Sequence, residues 1–133
     1  MINIISKTDL ETCIYRVRNA GDKERPDDKY NKASILVLFI NDEMKKSSSI
    51  LMIKRKDNLR KHAGQIAFPG GRKENEDSNL EETAIRETEE EINIFKEHFS
   101  ILGNLPKFFT GTGYVVTPFL GIMKSNSNWK KLL

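Results

Sequence analysis

Four charged residues near the middle of the chain, Arg86, Glu87, Glu90 and Glu91, have types and spacing that could do chemistry. If the segment is helical, Glu87 lies beside Glu90 and Glu91 on one face, because residues three and four apart are helix neighbours. Like charges at that spacing repel, so a helix that keeps three carboxylates together has a use for a cation. Carboxylate oxygens suit hard divalent ions such as Mg2+ or Mn2+. Just upstream, Pro69-Gly70-Gly71 reads as a turn where the backbone can approach closely, and a carbonyl of Gly70 could add an oxygen ligand. Arg86 is spaced to pair with Glu82 or Glu90 and so orient a carboxylate. Metal and carboxylates together fit hydrolysis of a phosphate ester or anhydride, with a glutamate free of the metal taking the water's proton. The plainer alternative is a solvated, charge-rich helix face.

The flanking pattern predicts the elements that would position these groups. Ser78 and Glu81 form a capping-box pattern at a helix start. Leu80, Ala84, Ile85, Thr88 and Ile92 supply an apolar stripe, and Asn93 can adopt the left-handed conformation that ends a helix. Residues 33–40, ASILVLFI, read as a buried strand, and residues 50–54, ILMIK, as its hairpin partner. Residues 65–68 add a short extended piece that Pro69 stops, and residues 101–105 and 114–122 read as later strands around the turn at 110–113. Near the start, Leu10, Cys13, Ile14 and Val17 recur at helical spacing, with Ser6, Thr8 and Asp9 as capping candidates and Cys13 in the core. Strands around one strong helix predict an α/β or α+β sandwich.

The totals narrow the function classes. A chain of 133 residues is read as one domain, 1–133, with a helix and loop over 1–31, a core over 33–122 and a short polar tail over 123–133. The net charge is +3, but acids gather between Glu74 and Glu91 while Lys54, Arg55, Lys56, Arg60 and Lys61 crowd upstream. That separation disfavours a continuous nucleic-acid surface and favours a phosphorylated small molecule. No apolar run reaches membrane-spanning length, and no signal peptide is recognisable, so a cytoplasmic protein without a membrane partner is expected. One cysteine rules out an internal disulfide.

The stretch 71–94 resembles the Nudix box, G-x5-E-x7-R-E-U-x-E-E-x-G-U, a signature of hydrolases that split nucleoside diphosphates linked to another moiety. Arg86, Glu87, Glu90, Glu91 and Ile94 match its second half, whereas Thr88 and Asn93 stand at its aliphatic and glycine positions. The spacing from Gly71 to Arg86 is one residue longer than the general signature, with Asp77 at the early acidic position. Both features resemble the coenzyme A pyrophosphatase branch. So do the upstream residues Leu51, Arg55, Leu59, Arg60, His62, Gly64, Gln65, Phe68 and Pro69-Gly70-Gly71, and the downstream run Thr112-Gly113-Tyr114, Val116-Thr117-Pro118. The resemblance implies a Nudix-fold α/β/α sandwich with a mixed sheet. It implies Glu87 and Glu91 as principal metal ligands, Glu90 as a further ligand or the base, and Arg55, Arg60, His62 and Gln65 facing the substrate. For His62 a structural role in its loop stays open. The implied reaction is cleavage of coenzyme A to 3',5'-ADP and 4'-phosphopantetheine. Alternatives are another nucleoside diphosphate derivative, such as an NDP-sugar or a dinucleotide, or an inactive Nudix module that binds a ligand. Members of the branch continue with a further strand and helix, so this chain is expected to lack that layer and to expose an apolar sheet face that a homodimer hides or that causes aggregation.

Overall fold

The apolar run predicted as a buried strand becomes the centre of the sheet. In the computed structural model, which describes residues 5–19, 29–54 and 64–125, β1 spans Asn31–Asp42. Leu36, Leu38 and Ile40 alternate along one face and are buried there, as period-two patterning requires. Parallel to β1 runs the other long strand, β8 (Tyr114–Met123), in register from the Asn31–Tyr114 pair to the Phe39–Ile122 pair.

Each long strand is flanked on its outer edge by two short antiparallel partners. β2 (Ser47–Ile50) and β5 (Gly70–Arg72) pair with the two ends of β1. β6 (Phe99–Asn104) and β7 (Phe108–Phe109) do the same for β8. β3 (Ile53–Lys54) and β4 (Ile66–Ala67) form a separate two-stranded ribbon. The expected strand at 50–54 is therefore divided: Ile50 ends the partner of β1, and Ile53 begins the ribbon. The hairpin connection is short, since Ser47 to Ser49 enter the ladder once Lys46 takes a positive φ of 49°. The Pro-Gly-Gly turn is corrected too. Gly70 and Gly71 lie within β5, opposite Ile35 and Ser34.

Among the described residues, two α-helices cover the sheet. α2 (Leu80–Ile92) lays Ala84 and Thr88, both fully buried, against the Leu36–Leu38 face, with Ile94, Phe99, Phe119 and Met123 completing the core. α1 (Lys7–Asn19) covers the other face over β6. Gly103 pairs with Leu120, which points away from Phe119, and Ile14 fills the space a Cβ on Gly103 would take. Ser6 and Asp9 cap α1 reciprocally, each backbone N–H bonded to the other's side chain at 2.9 and 3.0 Å. The segment before α1 is tied to the sheet by Asn41, whose Nδ2 donates to the Ile5 carbonyl at 2.7 Å. The architecture is thus a mixed sheet between helices. Cys13, expected in the core, is exposed, because Leu10 and Ile14 define the buried stripe. The tail beyond residue 125 lies outside the described residues. Among the described residues no helix is long and apolar enough to cross a membrane.

α2 begins one residue later than the capping-box pattern implied. Asn79 is the N-cap and accepts from the Glu82 N–H at 2.8 Å, while Glu82 reaches back to the Ser78 N–H at 2.9 Å. Asn93 ends the helix at φ 57° and donates to the Glu89 carbonyl at 2.9 Å, as predicted. A β-branched residue is poorly suited to that conformation. Asn93→Val is expected to lower stability by about 1–2 kcal/mol in urea denaturation, and Asn93→Gly to match or exceed the parent.

Candidate active site

Two short contacts set the carboxylate helix against β5. A Cβ on Gly71 would overlap the Glu87 carboxylate, so only glycine lets α2 seat that side chain directly on the strand. One residue earlier, the Gly70 N–H donates to Glu91 Oε1 at 3.0 Å. The helix start is fixed to the neighbouring strand by Ser34, whose Oγ donates to the Leu80 carbonyl at 2.8 Å. β5 itself is held in place where the Pro69 carbonyl accepts from the Leu36 N–H at 2.8 Å.

Arg86 organises the remaining acids. Its Nε and Nη2 form a fork on Asp77, at 2.9 and 3.0 Å, the bidentate geometry that makes guanidinium–carboxylate pairs strong. Nη2 also donates to the Arg72 carbonyl at 3.0 Å, linking α2 to the end of β5. Nη1 faces Glu87 Oε1 at 3.1 Å and Glu90 at 3.2 Å. The expected i+4 partner Glu90 is therefore found, while Glu82 is engaged at the helix start. Asp77 is only 6% exposed. It is fully served, accepting also from the Glu74 N–H and the Thr83 hydroxyl, both at 2.9 Å. Hydrogen bonding to Arg86 holds the Asp77 carboxyl well below the usual carboxylate range, against the opposing effect of burial. In return, chiefly through Asp77, Arg86 holds its proton beyond the ordinary guanidinium range.

Glu87 behaves oppositely. Burial raises its pKa, Arg86 opposes that rise, and the charges of Glu91 and Glu90 add to it. A partly buried carboxylate that shares one guanidinium with two other acids, beside a third carboxylate, is a donor set that fits a hard divalent cation. Among the described residues, no three carboxylate or imidazole side chains are drawn together closely enough to hold an ion as they stand. Glu87 and Glu90 are turned to Arg86, and Glu91 to the Gly70 N–H. Glu90 and Glu91 are exposed, so both can swing without disturbing packing. Beside Glu87 opens a cleft of about 460 Å³ lined by Arg72, Lys73, Glu74, Asn75 and Glu76.

Of the residues singled out in the sequence, Gly70, Arg86, Glu87, Glu90 and Glu91 are brought together. Gln65 is exposed just before β4. Arg55, Arg60 and His62 lie outside the described residues. The anchoring role of Asp77 was missed. Its signal was an acid placed nine residues before an arginine across a helix start, with Thr83 four residues into the helix.

A family model described as the NUDIX domain matches residues 30–129. This chain belongs to the Nudix family. Among curated relatives, an uncharacterized Nudix hydrolase NudL of Yersinia enterocolitica is 46% identical over 78 residues, 59% of this chain and 40% of the relative. One from Yersinia pestis is 40% identical over 95 residues, 71% of this chain and 46% of the relative. The matched stretch covers less than half of either relative. Among solved structures, a C. elegans Ap4A hydrolase binary complex shares 22% identity at a TM-score of 0.58, covering 72% of this chain and 68% of that one. The NUDIX domain of Shewanella oneidensis NrtR, complexed with ADP ribose, shares 18% at 0.58, covering 79% and 69%. Both show the Nudix fold.

The buried Asp77–Arg86 pair carries a measurable consequence. Asp77→Asn removes the buried, bidentate partner of Arg86 while Glu87 and Glu90 remain on Nη1, and is expected to cost on the order of 3 kcal/mol in urea denaturation at pH 7. Because the folded Asp77 pKa is depressed, this stabilisation is present above the unfolded value of about 3.9 and is lost as pH falls below it. The gap between variant and parent should therefore narrow below about pH 4.

Proposed function

We propose that the protein is a metal-dependent diphosphatase that hydrolyses coenzyme A, or a derivative of it, to 3',5'-ADP and 4'-phosphopantetheine. The observation that carries the reading is the seating of Glu87 and Glu91 on Gly71 and Gly70, with Glu90 beside them and Arg86 pinned by Asp77. Glu87 and Glu91, with Glu90 and a carbonyl of Gly70, would hold Mg2+ or Mn2+. Such an ion, when bound, neutralises charge on the diphosphate and acidifies water.

The protein's own residues supply the rest. Arg86 sets the rotamers of Glu87 and Glu90. Glu90 is exposed and sits one helical turn from Glu87, so it can reach solvent water and accept its proton; Glu91 is the second candidate for that role. The coenzyme A assignment is supported by the spacing from Gly71 to Arg86, by Asp77, and by the residues around Arg55, Arg60, His62 and Gln65. We assign those four to substrate contact.

A second reading, another nucleoside diphosphate derivative, is favoured by the fold neighbours described with Ap4A and ADP ribose. The two separate in one assay. Coenzyme A, NADH, ADP-ribose and Ap4A are offered side by side with Mg2+ or Mn2+, and products are identified by mass. Coenzyme A cleaved at its diphosphate, with kcat about 10²–10⁴-fold lower in Glu91→Gln, is the expected outcome. Turnover of ADP-ribose or Ap4A but not coenzyme A would replace the substrate assignment. Metal binding without turnover of any of them would point to a binding module.

A further inference from the structure

Beyond the carboxylates, the strand that carries Gly71 becomes basic. The Lys73 N–H donates to the Lys32 carbonyl at 2.9 Å, one step past the Arg72–Ala33 pair, so Lys73 and Lys32 stand opposite each other across β5 and β1. Alternation places position 73 on the same face as Gly71, about 7 Å along the strand from the point where Glu87 rests. The same alternation on β1 places Lys32 with Ser34, which bonds α2. Both positions therefore lie on the α2 face; Lys73 lines the cleft beside Glu87, and Lys32 stands opposite it on β1.

Side chains directly opposite on antiparallel strands have Cβ atoms about 5 Å apart, and like charges there are destabilising. Among the described residues, no carboxylate lies within 4.0 Å of Lys32, Lys73 or Arg72. Acids are nonetheless near. Glu74, Glu76 and Glu87 share the cleft with Lys73, but Glu74 and Glu87 are turned to Arg86. Lys73 Nζ has one hydrogen bond, a long one of 3.5 Å to the neutral Glu74 carbonyl. Arg86 gathers Glu74 and Glu87, and Lys32 and Lys73, at opposed positions of the two strands, keep no carboxylate partner within 4.0 Å among the described residues.

We propose that Lys32 and Lys73 form a subsite for a phosphate monoester carried by the nucleotide half of the substrate, beside the diphosphate that the carboxylates address. Two ammonium groups, each with three donors, match the charge and acceptors of a phosphate dianion. The inference rests on the diphosphatase reading and deepens it, by assigning to two residues of this chain the contact that separates coenzyme A from nucleoside diphosphate derivatives without a further ribose phosphate.

The test has a binding arm and a kinetic arm. Metal-free protein is titrated calorimetrically with 3',5'-ADP, 5'-AMP and inorganic phosphate, in the parent, in Lys32→Gln/Lys73→Gln and in Lys32→Arg/Lys73→Arg. The parent should bind 3',5'-ADP at least about tenfold tighter than 5'-AMP, the glutamine pair should lose that preference, and the arginine pair should keep it. Equal affinity for the two nucleotides, a preference surviving in the glutamine pair, or inorganic phosphate binding as tightly as 3',5'-ADP would overturn the subsite. In the kinetic arm, kcat/KM for coenzyme A and dephospho-coenzyme A is compared in parent and glutamine pair. Equal values in the parent would sink the subsite while leaving the diphosphatase reading intact. The binding preference without turnover of either compound would sink the diphosphatase reading and sustain the subsite.

Discussion

The fork between Arg86 and Asp77 is the interaction on which the rest of the site depends. It joins a buried loop acid to a helix that must otherwise carry Glu87, Glu90 and Glu91 on one face against their mutual repulsion. Three consequences follow from one guanidinium. The acidic loop is closed onto α2, the end of β5 is tied to the helix through the Arg72 carbonyl, and two of the three glutamates are given a fixed direction. Partial burial of Glu87 raises its pKa, Arg86 opposes that rise, and the neighbouring Glu91 and Glu90 charges add to it. The glycines of β5 complete the arrangement by removing the side chains that would hold the helix away.

Most of this chemistry was legible in the sequence because it is local. A helix fixes the mutual placement of residues 86 to 91 regardless of what the sheet does, so the carboxylate face follows from spacing alone. The apolar stripe through Ala84 and Thr88 and the left-handed end at Asn93 are local in the same sense. What escaped the sequence was set by partners distant along the chain. The Pro-Gly-Gly run reads as a turn by composition, but β1 recruits it as an edge strand, since the backbone groups of Ser34 and Ile35 need partners. Residues 50–54 look continuous, yet they serve two different ladders. Cys13 sits at a helical spacing compatible with burial, and the choice of buried stripe was made by where Ile14 meets Gly103. The helix start lies at Asn79 rather than Ser78, although both residues can cap: the Asn79 side chain accepts from the Glu82 N–H, and the Glu82 carboxylate accepts from the Ser78 N–H.

The layout of the sheet explains why the carboxylates and the two lysines lie at one end of β1. β5 pairs with the first residues of β1, so the glycines, Arg72 and Lys73 are carried to the strand's beginning, where Lys32 also lies. The loop from Lys73 to Asn79 then folds back over that end to deliver Asp77 to Arg86. Opposite charges are thus segregated within a few residues: acids gathered around one arginine, lysines left facing each other across two strands.

We propose that Glu87 and Glu91, held against Gly71 and Gly70, form a divalent metal site with Glu90 once Glu87 and Glu90 are released from Arg86. An anomalous difference map from crystals soaked in Mn2+ tests it directly. The account predicts a peak within about 2.5 Å of oxygens from Glu87 and Glu91, with Asp77 still forked to Arg86. Ordered Mn2+ found elsewhere, with both glutamates still turned to Arg86 and the Gly70 N–H, would contradict it.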